Sequence, residues 1–252
     1  MSGAKSARRR LDALLVERGL VETRSKAQAL IMAGLVWSGD RRLDKTGMLL
    51  PAQSPIEVRG RGHPWVSRGG LKLVRALDHF SVDPAGAAAL DVGASTGGFT
   101  DVLLARGAAR VYAVDVGYGQ LAAKLRDDPR VVLLERVNAR TLTRARVPEP
   151  IDLIVCDASF IGLETVLPAP LALAAERAGL VALIKPQFEV GKGRVGKGGV
   201  VRDPALRREV CERIVAWLDA QAGWRVAGLI ESPILGADGN QEFLVYVRKG
   251  AA

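Results

Sequence analysis

Apolar positions recur in two different ways along the 252-residue chain. In the first sixty residues they come in short, broken groups. Leu11, Leu14, Leu15 and Val16 share one face of a helix that stops at Gly19. Thr23 or Ser25 can cap a second helix carrying Ala27, Ala29, Leu30, Ile31 and Met32 up to Gly34. Val36-Trp37-Ser38 then reads as a strand, Gly39-Asp40 as a turn and Pro55 to Val58 as another strand. The segment RGRGHP (59–64) breaks the pattern, and helical spacing returns at Gly70 with Leu71, Leu73, Val74 and Leu77. From there, runs of strand length (88–93, 110–115, 131–135, 151–157, 180–185, 225–232, 242–248) alternate with helical ones (71–80, 98–106, 119–126, 162–178, 204–221). Such alternation predicts a parallel sheet covered on both faces. The turn GADGNQ (236–241) makes the last strand antiparallel. The expected fold is α/β: a seven-stranded, mostly parallel sheet over 67–252, a linker at 60–66, and a small α+β module at 1–59.

Composition narrows the class. With 48% hydrophobic and 25% charged residues the chain can bury a core. No apolar run approaches the length that crosses a bilayer, and the arginine-rich start lacks the pattern of a signal peptide, so a cytoplasmic protein without membrane contact is expected. Cys156 and Cys211 are far apart with no histidine or cysteine nearby, so neither a disulfide nor a metal site is expected. The net charge of +9 is concentrated: residues 1–62 hold 12 Lys/Arg against 6 Asp/Glu, which points to a polyanion partner, nucleic acid ahead of membrane.

The stretch LDVGASTGGFT (90–100) followed by Asp115 is a strand–glycine loop–helix–strand unit closed by an acid. Glycines at 93, 97 and 98 let backbone amides approach a ligand, and Asp115 stands where such folds place a carboxylate for two ribose hydroxyls. Asp91, Gly93, Ala94, Ser95, Thr96, Gly97, Gly98, Phe99, Asp115, Asn138 and Asp157 are the candidate cofactor residues. The loop departs from the dinucleotide fingerprint, because Ser95 stands where its second glycine belongs. The segment GKGRVGK (191–197) mimics a nucleotide-phosphate loop by spacing. Gly198 replaces the required hydroxyl residue and no helix follows directly, so ATP is rejected there. Lys192, Arg194 and Lys197 are instead expected to meet phosphate.

Four further polar residues fall at strand or helix starts and ends: Lys72 in SRGGLKL, Asp157 ending IDLIVCD, Lys185 ending LVALIK, and Glu242 starting EFLVYV. Open α/β sheets place ligands outside the carboxyl ends of their strands, so Asp157 and Lys185 face the crevice of the glycine loop, and Glu242 starts at the same edge. A lysine that ends an apolar run is costly unless it is used.

These motifs carry a resemblance. RSKAQALIMAGLVWSGD resembles the small RNA-binding domain first seen in ribosomal small-subunit protein S-four, over about residues 8–59. It implies that structured RNA is held through Arg8, Arg10, Arg18, Arg24, Lys26, Arg41 and Arg42, with Arg68 of the second domain, largely at phosphates. D-V-G-x-x-x-G-G-F resembles the first motif of S-adenosylmethionine (SAM) methyltransferases, and the strand pattern resembles their class I, Rossmann-like fold. Lys72, Asp157, Lys185 and Glu242 resemble the tetrad of FtsJ-like ribose 2′-O-methyltransferases. Through SRGGLKL, LDVGASTGGFT, CDASF, LIKPQFEVGK and NQEFLVY the whole chain looks like the TlyA family, historically called haemolysins. The resemblance implies SAM as methyl donor and a cytidine ribose hydroxyl of 16S or 23S ribosomal RNA, or both, as acceptor. It further implies Lys185 as the group that orients and deprotonates the hydroxyl. Asp157 would position Lys185, Lys72 would add positive charge beside it, and Glu242 would hold Lys72 or the ribose. The linker reads His63-Pro64-Trp65-Val66 where the family commonly has Arg-x-Trp-Val. A monomer or weak dimer working on ribosomal RNA or subunits is expected. A catalytically silent assembly factor and a pore-forming haemolysin are the competing readings.

Overall fold

The computed structural model describes residues 8–21, 23–39, 41–58, 63–191, 193–236 and 239–250. It contains two compact units, Met1–Pro64 and Trp65–Ala252.

In the first unit, β1 (Arg8–Arg10) leads into α1 (Leu11–Glu17), followed by α2 (Arg24–Met32) and the short strands β2 (Val36–Ser38), β3 (Arg41–Arg42), β4 (Leu49–Pro51) and β5 (Glu57–Val58). Thr23 caps α2, its Oγ1 accepting from the Lys26 amide at 3.2 Å. Strand β2 pairs antiparallel with β3 and β5, and β1 pairs antiparallel with β4. Leu11, Leu15, Ala27, Ile31, Val36 and Leu43 form the core. Beside it Asp12 is fully buried and receives both Nε and Nη2 of Arg10 at 3.0 and 2.9 Å, with Arg24 and Gln28 within reach. The Arg10 hydrogen bonds hold its carboxyl well below the usual carboxylate range.

The second unit begins with α3 (Gly69–Phe80). Then follow β6 (Ala88–Val92), α4 (Gly98–Ala105), β7 (Arg110–Asp115), α5 (Ala123–Arg126), β8 (Val131–Glu135), β9 (Ile151–Cys156), α6 (Leu163–Val166), α7 (Pro168–Ala172), β10 (Ala174–Ile184), α8 (Pro186–Glu189), α9 (Pro204–Asp219), β11 (Trp224–Glu231) and β12 (Phe243–Lys249). The sheet order is β11-β12-β10-β9-β6-β7-β8. Strand β12 runs antiparallel to both its neighbours, and the pairings among β10, β9, β6, β7 and β8 are all parallel. The seven expected strands are all present, and the final pair is antiparallel as the turn required. Leu73, Leu77, Phe99 and Leu103 of α3 and α4 pack on one face, and Leu163, Leu171, Ile214 and Leu218 of α6, α7 and α9 on the other.

Two expected helices are shortened. Residues 162–178 were expected to be one helix, but Pro168 starts a new one and the chain is already in β10 by Ala174. Pairing with Ile151 and Lys249 overrides the helix preference of this alanine-rich stretch. The helix expected over 119–126 is reduced to α5, because Gly117 and Gly119 donate their amides to Asp115 and Glu135 instead of entering a helix. Among the described residues no helix is long and apolar enough to cross a membrane.

The order reverses between β6 and β9, which lie side by side. Their carboxyl ends carry the glycine loop and Asp157, so this is the switch point at which open α/β sheets form a crevice.

Candidate active site

The loop after β6 is shaped by two backbone requirements. Gly93 has φ +83, and a Cβ there would lie 2.9 Å from the Ala158 Cα, so only glycine lets the ends of β6 and β9 approach this closely. Gly97 has φ +95, caps α4, and backs onto Leu121 and Leu125. Between them the Ser95 amide donates to Asp115 Oδ2 at 2.8 Å, and the Gly117 amide donates to Oδ1 at 2.6 Å. Each carboxylate oxygen keeps a second lone pair, so Asp115 is fixed in place yet still able to accept from two hydroxyls.

This loop borders two cavities. One, of about 460 Å³, is lined by Asp115, Asn138, Gln120 and the apolar side chains of Val116, Val137, Ile161 and Val166. Apolar walls beside a carboxylate locked by two amides suit an adenosine-sized group, with room for a flat ring against the walls and hydroxyls at Asp115. The other, of about 440 Å³, is lined by Ala94, Thr96, Gly98 and Phe99 of the loop and by Lys72, Asp157, Lys185 and Glu242. Gly93, Ser95, Asp157, Ser159 and Phe160 line both.

The four charged groups form two ion pairs. Lys72 Nζ donates to Glu242 Oε2 at 2.6 Å, with both side chains nearly out of solvent. Lys185 Nζ stands 2.6 Å from Asp157 Oδ1, a close contact that falls outside hydrogen-bonding angles. Its directed bonds go to the Asp157 carbonyl at 3.0 Å and to Ser159 Oγ at 2.9 Å. Each lysine is thus matched to a carboxylate, and Lys72 gives its charge to Glu242 as well as to the cavity. The position of Lys185 follows from its neighbours: β10 ends there, Pro186 opens α8, and the side chain stays buried at 8% exposure.

A second set of contacts joins the segments after β9 and β10. Glu189, at the end of α8, accepts the Leu163 amide at 2.8 Å and pairs with Arg213 of α9, which also reaches Glu164 at 2.6 Å. Burial raises the Glu189 carboxyl above its ordinary value. Phe188 packs against Phe160 with ring centroids 5.0 Å apart. Phe160 has φ +64 and is 90% exposed, an unusual cost for a large aromatic residue at the mouth of both cavities. Cys156 is no nucleophile, since burial pushes its thiol up to about 12.

Not every expected residue reaches the crevice. Asp91 is fully buried in β6 and lines neither cavity. Its Oδ2 accepts from Thr100 Oγ1 at 2.7 Å, Oδ1 has no partner, and burial raises its carboxyl to about 7. Asp91 thus stands behind the loop, where its carboxylate holds the first turns of α4 through Thr100. Gly97 serves the turn and lines neither of these two cavities. Arg194 pairs with Glu209 through two contacts of 2.6 Å on the exposed surface. Lys192 and the side chain of Lys197 lie outside the described residues. Arg68 is exposed at the rim of the tetrad cavity.

In the first unit Arg8, Arg41 and Arg42 are exposed on strands. Arg10 and Arg24 are partly committed to Asp12, and Arg18 donates to the Ser54 and Ala52 carbonyls, so these three also hold the fold together. Lys26 is exposed on α2. The sequence reading missed Ser67, Ser159, Phe160, Gln187 and Phe188, which all line the tetrad cavity. Four of them follow the strand-ending Asp157 and Lys185 within three residues, so scanning the loop after each parallel strand would have found them.

Comparison with known proteins places both units. The FtsJ-like methyltransferase family matches residues 65–249, and the S4 domain matches residues 9–54. The chain is 51% identical over 248 residues to the 16S/23S rRNA (cytidine-2′-O)-methyltransferase TlyA of Mycobacterium tuberculosis, covering 96% of this chain and 90% of that protein. A solved hemolysin-named structure from Streptococcus thermophilus shares 40% identity at a TM-score of 0.76, covering 98% of this chain and 90% of that one. An O-methyltransferase structure from Bacillus cereus shares the fold alone, with a TM-score of 0.51 at 19% identity over 73% of this chain and 82% of that one.

Proposed function

The chain belongs to the family of FtsJ-like methyltransferases, and on that premise we propose that it transfers a methyl group from SAM to the ribose 2′-hydroxyl of a cytidine in ribosomal RNA. The observation that carries this reading is the adjacency of an adenosine-sized cavity, fixed by Asp115, to a cavity lined by two lysine–carboxylate pairs. An rRNA substrate puts its work in the cytoplasm.

The residues around the first cavity fit SAM. Asp115 would hold the ribose hydroxyls, and Val116, Val137, Ile161 and Val166 would enclose the adenine. Asn138 would stand beside them, and the amides of the Gly93 loop would face the amino-acid part. Bound SAM supplies a sulfonium methyl already activated for transfer, so the protein has to align the acceptor and remove one proton.

Lys185 is placed for both tasks. Its directed bonds to the Asp157 carbonyl and Ser159 Oγ leave one nitrogen direction for the ribose oxygen. To act as base, Lys185 would first give up its own ammonium proton to solvent; Nζ then accepts the hydroxyl proton as the methyl passes from sulfur to oxygen, and the adjoining Asp157 carboxylate stabilises the ammonium so restored. The Ser159 hydroxyl can rotate between donor and acceptor to follow that change. Lys72, fixed by Glu242, contributes positive charge toward the developing alkoxide. Phe160 presents a ring face on which the cytosine can stack once it leaves the RNA helix.

The test is methyl transfer from labelled SAM to ribosomal subunits from a strain lacking the enzyme, followed by nucleoside analysis. The reading expects 2′-O-methylcytidine in 16S rRNA, 23S rRNA or both. Label found only on a base, or no label at all, would overturn it.

A further inference from the structure

We propose a second RNA-phosphate site in the catalytic unit, at the end of the sheet opposite the crevice, built by Arg177, Arg225 and Arg248 around the Tyr246 ring. It rests on the reading that the substrate is RNA. These side chains, with Lys249, line a cavity of about 410 Å³. The site and the tetrad share two strands. Lys185 follows β10 at one end while Arg177 lies near its other end; likewise Glu242 precedes β12 and Arg248 lies near its far end. At 3.2–3.4 Å per residue the two sites are about 20–26 Å apart.

The register is the first argument. Arg225 and Arg248 are direct cross-strand partners on β11 and β12. Like charges placed directly opposite each other on antiparallel strands destabilise a sheet. No carboxylate neutralises the pair: among the described residues neither arginine, nor Arg177, forms an ion pair. Asp219 ends α9 nearby, but its carboxylate accepts the Val226 amide at 2.7 Å.

The second argument is order. The Arg248 guanidinium lies over the Tyr246 ring, 5.4 Å from its centroid. Arg225 uses Nη1 on the Asp219 and Trp224 carbonyls, which leaves the rest of its fork open. Lys249 Nζ donates to the Ala174 carbonyl at 3.3 Å. Held guanidinium forks around a concave surface are what planar, bidentate phosphate recognition needs. An anion there turns a repulsive pair into a bridged one. A large folded RNA whose target nucleotide occupies the crevice supplies such phosphates at this distance.

The experiment compares wild-type protein with the Arg225→Gln/Arg248→Gln variant and with Arg248→Glu, which creates an opposite-charge cross-strand pair. Binding to unmodified ribosomal subunits and to deproteinised rRNA is measured against salt, with SAM affinity and melting temperature on the same samples. The double variant should bind both RNA probes about tenfold more weakly, with a log–log salt slope shallower by about 1.4–1.8. SAM affinity should stay unchanged. Arg248→Glu should melt at least as high as wild type and bind RNA still less well. Unchanged RNA affinity and slope would overturn the site, and loss confined to whole subunits would assign the surface to a ribosomal protein instead. Wild-type methyl transfer, assayed alongside, separates failure of this site from failure of the rRNA reading.

Discussion

The two cavities that meet at Gly93 are built by opposite means. The Asp115 cavity uses apolar walls and one carboxylate locked by two backbone amides. The tetrad cavity uses side chains that are charged, buried and dependent on one another. Backbone-set sites lose affinity by increments when one side chain changes. A network of buried ion pairs fails as a unit, because removing one partner leaves the other charged and unmatched. The first arrangement suits binding a cofactor, and the second suits placing a proton and an attacking oxygen.

Asp157 belongs to both cavities, so its replacement should do the most damage. Asp157→Ala is expected to lower methyl transfer by about 10³-fold or more and to weaken SAM binding as well, read by single-turnover assay and calorimetry. Asp115→Ala should separate the two cavities. SAM affinity should fall by about 10–100-fold while turnover at saturating SAM stays within a few-fold of wild type. A fall in turnover equal to that of Asp157→Ala would erase the distinction between the cavities.

Smaller effects probe the supports. Glu189→Ala should lower kcat by about tenfold, with SAM affinity within twofold, because Glu189 ties the Asp157 loop to the segment after Lys185. Glu189→Gln, which can still accept the Leu163 amide, should restore most of the rate. A residue of merely structural importance would instead lower the melting temperature without this rescue. Behind the loop, the Asp91 carboxyl is raised to about 7 from an unfolded value near 4. Stability from its neutral form is therefore complete below about pH 4 and is lost as pH rises toward 7. Asp91→Asn should flatten the melting-temperature profile across that window, and an unchanged slope would remove Asp91 as its source.

Most of the fold and part of the site could be read from the sequence, and the division has physical causes. Lys185 stood out because LVALI delivers a lysine to a strand end where burial demands a use. The glycine loop stood out because turns that need positive φ restrict residue choice at Gly93. The Lys72–Glu242 bond joins residues 170 positions apart, so only topology could pair them, and the sheet edge gave no more than its plausibility. Phe160 and Ser159 were missed because an exposed aromatic residue in a loop leaves no periodic signal. The helix expected over 162–178 failed where non-local pairing outweighed local preference. Alternation along β6 does not say which buried side chain faces the crevice, so the turn of the Asp91 carboxylate toward Thr100 was not legible. Strand β1 gave no alternation at all, being three arginines.

The most direct test of the account is Lys185→Met, with SAM binding and single-turnover methyl transfer to ribosomal subunits measured on one preparation. The predicted result is a SAM affinity within a few-fold of wild type and a transfer rate lower by about 10³-fold or more. Transfer at a rate near wild type, or an equal loss of SAM affinity, would contradict it.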